Sequence, residues 1–465
     1  MSPGLLAAVI ALVQIAQITH GNYAGSGDAV HYMVAAHSVA FDRDFDLSND
    51  YADPARIITA PPGPHAQSGV NGVLRPMHDV GLPIVAAPAV AAAYAVAGTV
   101  DRWPDSLVRR AKLSPFIVLR QLLSLLMIAA TVVLALLLFH TSAALTGQRT
   151  WAYVWTLVWA LSPPILTHGY LFLTEIPSAL IALFVFARRD DLLGARPVRQ
   201  GVILGLLTGL LFLIHVRNLG LVLALAALIL WRVRRAPQRA TGFLAGLGIF
   251  GVIKVVINLR FWGAVLTNPH EHLGAWPGLA AFVSDSATSL AGLFLDARHG
   301  LLLAAPIFLL APAAWILLKR RSRSTAYELL FVAAVYLVFV INPVTNIHGW
   351  RGGWSPAARF LVPIAAFAAL AVPAVFAIRR RAWIGLVVIG AQVVISGYLW
   401  GHPMQQWSEG PGPAAFVQAL AGASVAAAIP PIEQLNGPVL TFIAAALIVT
   451  VGVTWLLVRK TPNLR

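Results

Sequence analysis

Cysteine is absent from the 465 residues, and charge is scarce, with Asp, Glu, Lys and Arg making up 11% of the chain. Without a thiol there is no disulfide framework, no zinc finger and no cysteine nucleophile. A soluble globular domain carries about 25% charged residues, so the shortage excludes a soluble enzyme. The 58% of hydrophobic residues equally exclude a disordered chain. What remains is an all-α polytopic membrane protein, with a mean hydropathy of +0.77. Acids are the scarcer sign, 18 against 33 Lys and Arg, for a net charge of +15. In a soluble chain that excess would point to nucleic acid. Here no nucleic-acid partner is expected, and the question becomes which membrane face holds the cations.

Apolar runs long enough, or nearly so, to cross a hydrocarbon core of ~30 Å occur at about 3–20, 80–98, 116–139, 151–168, 172–187, 201–216, 219–231, 242–258, 300–318, 326–341, 360–378, 383–400 and 437–458. Five basic clusters fall between them: Arg188, Arg189, Arg196 and Arg199; Arg232, Arg234, Arg235 and Arg239; Lys319, Arg320, Arg321 and Arg323; Arg379 to Arg381; and Arg459, Lys460 and Arg465. The positive-inside rule assigns all five to the cytoplasm. Neighbouring clusters are two spans apart, so every loop between them is external. Counting backwards with a cytoplasmic Met1, the run 80–98 has no parity left to cross, and it is expected to lie in or dip into the outer leaflet. The first run lacks a basic n-region and reads as an uncleaved helix.

The result is a bundle of about twelve transmembrane helices forming one domain over 1–465, set in the cell (inner or plasma) membrane with membrane lipids around it. Its long external segments are 21–115, 259–299, 342–359 and 401–436, of which the first carries surface helices. With this map 15 of the 18 acids and 12 of the 13 histidines fall at or near the external face. Insertion does not require that segregation, so the chemistry is expected on that face.

Two carboxylates stand out there. Asp28 follows the first span on a Gly-flanked turn, Gly25-Ser-Gly-Asp28-Ala-Val-His31-Tyr32. At the lipid–water boundary it is desolvated enough to act as a base, and the structural alternative is a helix N-cap. Glu175 lies in Thr174-Glu175-Ile-Pro177, at the external start of an apolar span, where a carboxylate is costly and marks a functional site by default. The stretch Asp42-Arg43-Asp44-Phe-Asp46-Leu-Ser-Asn49-Asp50 is acid-dense, but its spacing does not match an EF-hand loop, and a solvated acidic turn is the expected reading. Cations recur on the same face: His215 and Arg217; Arg298 and His299, beside Asp296; and the segment NIHGWRGGWSPAAR at 346–359, which contains His348, Arg351 and Arg359 among Trp and Gly. Cations placed against the positive-inside preference, with glycines that let the backbone approach closely, suit a phosphate carried on a lipid or sugar.

The pattern resembles the GT-C superfamily of membrane glycosyltransferases, relatives of protein O-mannosyltransferases, aminoarabinose transferases and oligosaccharyltransferase. GDAVHY at 27–32, HSVAFDRDFDLSNDY at 37–51, LFLDARHGLLLAAPIFLL at 293–310 and GWRGGWSPAARFLVP at 349–363 carry the resemblance, the last two looking like segments of bacterial family-39-like transferases. It implies a GT-C-type bundle moving a sugar from a polyprenyl-phosphate donor to a lipid, glycan or protein acceptor on the external or periplasmic side, with inversion. Asp28 would be the general base. Glu175 would position hydroxyls or help Asp28 hold a divalent cation. Arg217, Arg298, Arg351 and Arg359 would hold the leaving phosphate, with His31, Tyr32, His299 and His348 also lining the substrate. Many relatives have an acidic pair where this chain has Asp28-Ala29, which puts a metal role in doubt. The alternative from another class is a secondary transporter or flippase. Lys254 is the main basic residue well inside a span, and no inverted repeat is visible.

Because the chain has no cysteine, single-cysteine variants report the topology directly. Asn71→Cys is predicted to react with a membrane-impermeant maleimide in intact cells and Arg234→Cys only after lysis; the opposite pattern would invert the map.

Overall fold

The computed structural model describes residues 2–19, 27–53, 64–194, 196–265, 277–343, 350–353, 355–378, 381–407 and 414–459. The apolar runs form helices, the outcome forced on any segment whose backbone groups find no water to bond. In chain order the longer ones are α1 (Pro3–Thr19), α2 (Asp28–His37), α3 (Gly81–Ala97), α4 (Pro115–Thr146), α5 (Arg149–Ala160), α6 (Glu175–Ala187), α7 (Pro197–Ile214), α8 (Leu219–Val233) and α9 (Thr241–Trp262). They continue with α10 (Leu279–Leu295), α11 (Ala311–Arg321), α12 (Arg323–Ile341), α13 (Val362–Ala369), α14 (Ala382–Gly401) and α15 (Gly437–Val458). Among the described residues eight helical stretches are long and apolar enough to cross a membrane: Gly81–Arg102, Pro115–Thr146, Pro197–Ile214, Val216–Val233, Pro237–Trp262, Arg323–Ile341, Ala382–Gly401 and Gly437–Val458. The protein is therefore a multi-pass, all-α membrane protein, and its described strands are one small hairpin, Ala66–Ser68 against Leu74–Pro76.

Three expected spans are not continuous helices, and proline is the reason. The run 151–168 stops at Ala160, ahead of Pro163 and Pro164, and resumes as Ile165–His168. The run 300–318 divides into Leu301–Ala304, a 3-10 turn Pro306–Leu310 and α11. The run 360–378 divides into Arg359–Leu361, α13 and Pro373–Phe376. Proline withholds the N–H that the ladder needs, and such breaks are tolerated at membrane depth only inside protein. The last of these segments meets that condition, since every described residue from Ser355 to Phe367 is buried. Conversely, α10 is an apolar helix inside what the sequence presents as a loop, where Ser284, Asp285 and Ser286 interrupt the hydropathy.

Helix α4 starts cleanly, with Ser114 accepting the Ile117 N–H at 3.2 Å, and stops at Gly147 in the left-handed region. Its 32 residues reach about 48 Å at 1.5 Å each, well beyond a core of about 30 Å. Its C-terminal end lies among the basic clusters, where the Arg321 guanidinium donates to the Thr146 carbonyl. Its other end meets α3. There Val118, Leu119 and Leu123 pack with Leu82, Val90 and Tyr94 of α3 in a second hydrophobic cluster, distinct from the main core.

At the basic end, Glu328 ties Arg189 (3.0 Å) and Arg232 (2.6 Å) together. Helices α7 and α9 meet backbone to backbone. A Cβ on Gly205 would stand 2.1 Å from the Phe243 carbonyl oxygen, and one on Gly246 2.4 Å from that of Val202. This is small-residue packing of the kind that joins helices in lipid. Lys254 of α9 is not a lone charge inside a span. Its ammonium is bonded to Asp79, just before α3, and the other Asp79 oxygen accepts the Val216 N–H at 2.6 Å. One carboxylate thus fastens the long first loop to two helices.

Removing one partner of a buried ion pair costs about 3–5 kcal/mol. Lys254→Met is predicted to lower thermal stability in detergent by that amount, and Lys254→Met with Asp79→Asn to recover most of it; equal losses in the two would show that the pair does not fasten the loop.

Candidate active site

Two helices begin at carboxylates. Gly27, at φ 63° and ψ −144°, occupies the cap position of α2, so Asp28 is the first helical residue and not the cap. Glu175 in the same way opens α6 behind Thr174. Both carboxylates sit in a first turn, where the helix dipole favours negative charge. A third segment brings the cation: Ala358 takes the left-handed conformation at φ 59°, unusual for a residue with a Cβ, and donates its N–H to the His299 carbonyl at 2.8 Å. That turn aims Arg359 inward. Its Nη2 donates to Asp28 Oδ2 at 2.6 Å and its Nε to Glu175 Oε1 at 2.5 Å, while Nη1 reaches the Gly352 carbonyl at 3.3 Å. Arg359 and Glu175 are buried, and Asp28 is the most open of the three.

An aromatic stack leads away from Asp28. His78 Nε2 stands 3.5 Å from Asp28 Oδ1. Its ring lies on Tyr32 (centroids 4.8 Å apart) and on His65 (4.7 Å), and His65 in turn faces His31 at 4.6 Å. His31 Nδ1 meets the Tyr51 hydroxyl at 2.9 Å. Burial, then the neighbouring His65, lower the His31 pKa to about 4 against the opposing pull of Asp28, so His31 is neutral at pH 7. Tyr32 is buried, and its hydroxyl has no hydrogen-bond partner among the described residues. Burial first, then the negative charges of Asp28 and Glu175, raise its pKa well above the ordinary phenol value. It is a proton-bearing donor beside two carboxylates.

A second group of cations adjoins the first through Ala358. Asp296 Oδ1 accepts the N–H groups of Arg298 and His299, both at 2.9 Å, and its Oδ2 accepts that of Ile432 at 3.3 Å. The His299 ring stands edge-on to Trp350 at 6.1 Å, and Arg351 lies 5.1 Å over the same indole. Trp350 seats against Gly292, where a Cβ would come within 2.2 Å of its ring. His299 is lowered to about 4 by burial first, with Asp296 opposing and Arg298 and Arg351 assisting, so the cationic charge here belongs to the arginines. Arg217 lies 3.8 Å from the centre of the Phe360 ring and lines, with Glu175, Ser178 and Asn218, a small polar pocket beneath the triad.

The bundle also contains an apolar cavity of about 660 Å³, lined by Leu290, Phe294, Leu301, Phe308, Leu361, Ile364 and Leu447 among others. Its lining is apolar throughout and includes Leu361, two residues along the chain from Arg359, and Leu301, two from His299.

Of the residues singled out from sequence, Asp28, Glu175 and Arg359 meet directly. Tyr32 and His31 join through the ring stack, Arg217 lines a pocket with Glu175, His299 is bonded to Ala358 beside Arg359, and Arg298 and Arg351 lie near His299. His348 lies outside the described residues. The acid-dense stretch is the expected solvated turn at Asp42, Asp44 and Asp46, which are exposed or partly so, but not at Asp50, which is fully buried with its Oδ1 2.9 Å from His37 Nδ1. His65, His78 and Asp79 were not singled out; the signal available was the adjacent His78-Asp79 pair within the long segment 21–115. A divalent cation between Asp28 and Glu175 does not fit, because the Arg359 guanidinium already supplies the positive charge there.

Arg359→Ala leaves two acids without their cation, and a loss of about 3–5 kcal/mol is predicted. Arg359→Met with Asp28→Asn and Glu175→Gln is predicted to regain the folded yield on size-exclusion chromatography; a triple variant as unstable as Arg359→Ala would refute the charge balance. No protein-family profile, curated protein or solved structure matches this chain, so its own residues carry the functional reading.

Proposed function

We propose that this protein is a GT-C-type membrane glycosyltransferase that moves a sugar from a polyprenyl-phosphate donor to a hydroxyl acceptor on the external face of the cell membrane. The observation that carries the reading is the buried Asp28–Arg359–Glu175 centre, in a bundle that also holds an apolar cavity lined in part by Leu361 and Ile364 of the segment that carries Arg359. A carboxylate, arginines and an apolar groove are what a base, a phosphate and a prenyl chain require. The acceptor hydroxyl gives its proton to Asp28 and its oxygen attacks the anomeric carbon from the side opposite the phosphate. The carbon–oxygen bond to phosphate breaks, the electron pair leaves on the polyprenyl phosphate, and the configuration inverts. Arg298 and Arg351 receive that phosphate, since the Arg359 guanidinium is already committed to two carboxylates. Arg359 instead holds base and Glu175 at one point, and Tyr32 offers a hydroxyl to the sugar or acceptor.

The topology follows the same proposal. About twelve spans, with α3 lying on the outer surface, are proposed with it; the packing of α3 against the start of α4, at the end of that helix opposite the Arg321–Thr146 contact, supports this reading. The Lys254–Asp79 pair is the kind of buried charge a transporter could use. Asp79 also holds the Val216 backbone, however, which suits a fixed fastening better than a moving gate.

With polyprenyl-phosphate sugars as donors in proteoliposomes, Asp28→Asn is predicted to reduce transfer at least 1,000-fold with donor binding retained, and Asp44→Asn to change it less than threefold. Donor carried across the bilayer without any transfer by the wild type would replace the enzyme by a flippase.

A further inference from the structure

We propose that His37, Asp42 and Asp50 form a binding site for one divalent transition-metal ion, with Zn²⁺ the preferred occupant. One nitrogen and two carboxylate oxygens of these residues lie within 4.8 Å of one another. Ligands at about 2.0–2.2 Å from a common zinc ion stand roughly 3–4 Å apart, so closure takes only side-chain adjustment.

Two orphaned atoms point to an occupant. Asp50 is 0% exposed, and while its Oδ1 meets His37, its Oδ2 has no hydrogen-bond partner among the described residues. A dry carboxylate oxygen left unbonded is costly, and a cation removes that cost. The second atom comes from a different element. The Tyr94 hydroxyl of α3 is buried and also lacks a partner, its ring lies 4.9 Å from that of His37, and it is close enough to Asp50 to feel its charge. It is placed to serve as a further ligand or to bond a metal-bound water.

The rest of the stretch is already used. Asp44 Oδ1 accepts the Ser38 hydroxyl at 3.0 Å and the Asp46 N–H at 2.9 Å, and Asp46 accepts the Ser48 N–H at 3.0 Å. These bonds turn the chain so that Asp42 and Asp50 face His37, and Asn49 steadies Asp42 by donating to its Oδ2 at 3.1 Å. Between His37 and Asp42 the backbone makes one turn of π-helix, Ser38–Asp42, a geometry frequent at functional sites. The donor set selects the ion: magnesium and calcium take oxygen ligands, whereas an imidazole with carboxylates suits zinc, with manganese lower in the affinity order.

The site is separate from the triad. His37 ends the helix that Asp28 begins, and nine residues at 1.5 Å place the two about 14 Å apart, too far for the metal to touch the reacting atoms. The metal instead staples α2 to α3, the short helix Ser48–Ala52 and the π-turn, fixing the far end of the helix that carries Asp28. This inference does not depend on the identity of the donor.

The test uses the full-length protein in nanodiscs, stripped with a chelator and then titrated with Zn²⁺, Mn²⁺ or Mg²⁺, with metal read by mass spectrometry and stability by thermal unfolding. About one Zn²⁺ per chain is expected, with a rise in unfolding temperature that Mg²⁺ does not reproduce. Asp42→Asn, at a partly exposed position, is expected to fold normally and weaken Zn²⁺ binding at least tenfold, and His37→Gln to abolish it. Stripped wild-type protein that takes up no Zn²⁺, or Zn²⁺ binding unchanged in Asp42→Asn and His37→Gln, would overturn the site and leave His37–Asp50 as a plain hydrogen bond.

Discussion

One guanidinium shared by two carboxylates is the constraint on which the rest of the structure depends. Arg359, Asp28 and Glu175 bring three formal charges into a bundle otherwise filled with Leu, Val, Ala and Phe, and each is tolerable there only because the others are within hydrogen-bond distance. The local backbone is shaped to permit it. Two helices start at their acids, where the dipole assists. The third segment gives up helical continuity and holds Ala358 in the left-handed region so that Arg359 can turn between them. The two acids outnumber the single arginine, so the centre keeps negative character while the arginines beside it stay available for an anion. That division of labour between base and phosphate is what the proposed reaction needs.

The broken helices follow from the same demand. Segments with proline interruptions sit inside the bundle, where neighbours satisfy their backbone, while the continuous helices α14 and α15 expose much of their surface. An interrupted interior admits side-chain groups from several directions and leaves an apolar cavity against α10 and α15. The loop segments are held by two fastenings of different chemistry, the Asp79–Lys254 pair and the turn around Asp296, which gathers the N–H groups of Arg298, His299 and Ile432.

Much of this was legible in the sequence because it is a matter of hydropathy and charge. The apolar runs became helices, and the basic clusters of Arg189, Arg232 and Arg321 gathered with their partners at one end. Asp28 and Glu175 were recognisable because a carboxylate beside a membrane segment needs a reason. What the sequence did not disclose were pairings across distance. Arg359 is 184 residues from Glu175 and 331 from Asp28, and nothing local says that it serves two acids. Lys254 looked like an isolated charge because its partner is on another element. Asp50 looked solvated because its neighbours in sequence are polar, although Leu47, three residues earlier, is buried and pulls the turn inward. The helix α10 was hidden by serines and an aspartate that lower its mean hydropathy without breaking its ladder.

The measurement that bears most directly on the account is native mass spectrometry of the purified protein in nanodiscs with polyprenyl phosphate, beside the unphosphorylated polyprenol and with Arg298→Ala/Arg351→Ala and Ala365→Trp variants. The account predicts one retained polyprenyl phosphate per chain. It further predicts much weaker retention of the polyprenol, and loss of the lipid both when the two arginines are removed and when the cavity is filled. Equal retention of both lipids, or binding that neither variant changes, would contradict the placement of a phosphate beside the Asp28–Arg359–Glu175 centre and, with it, the reading of the protein as a transferase using lipid-linked sugars.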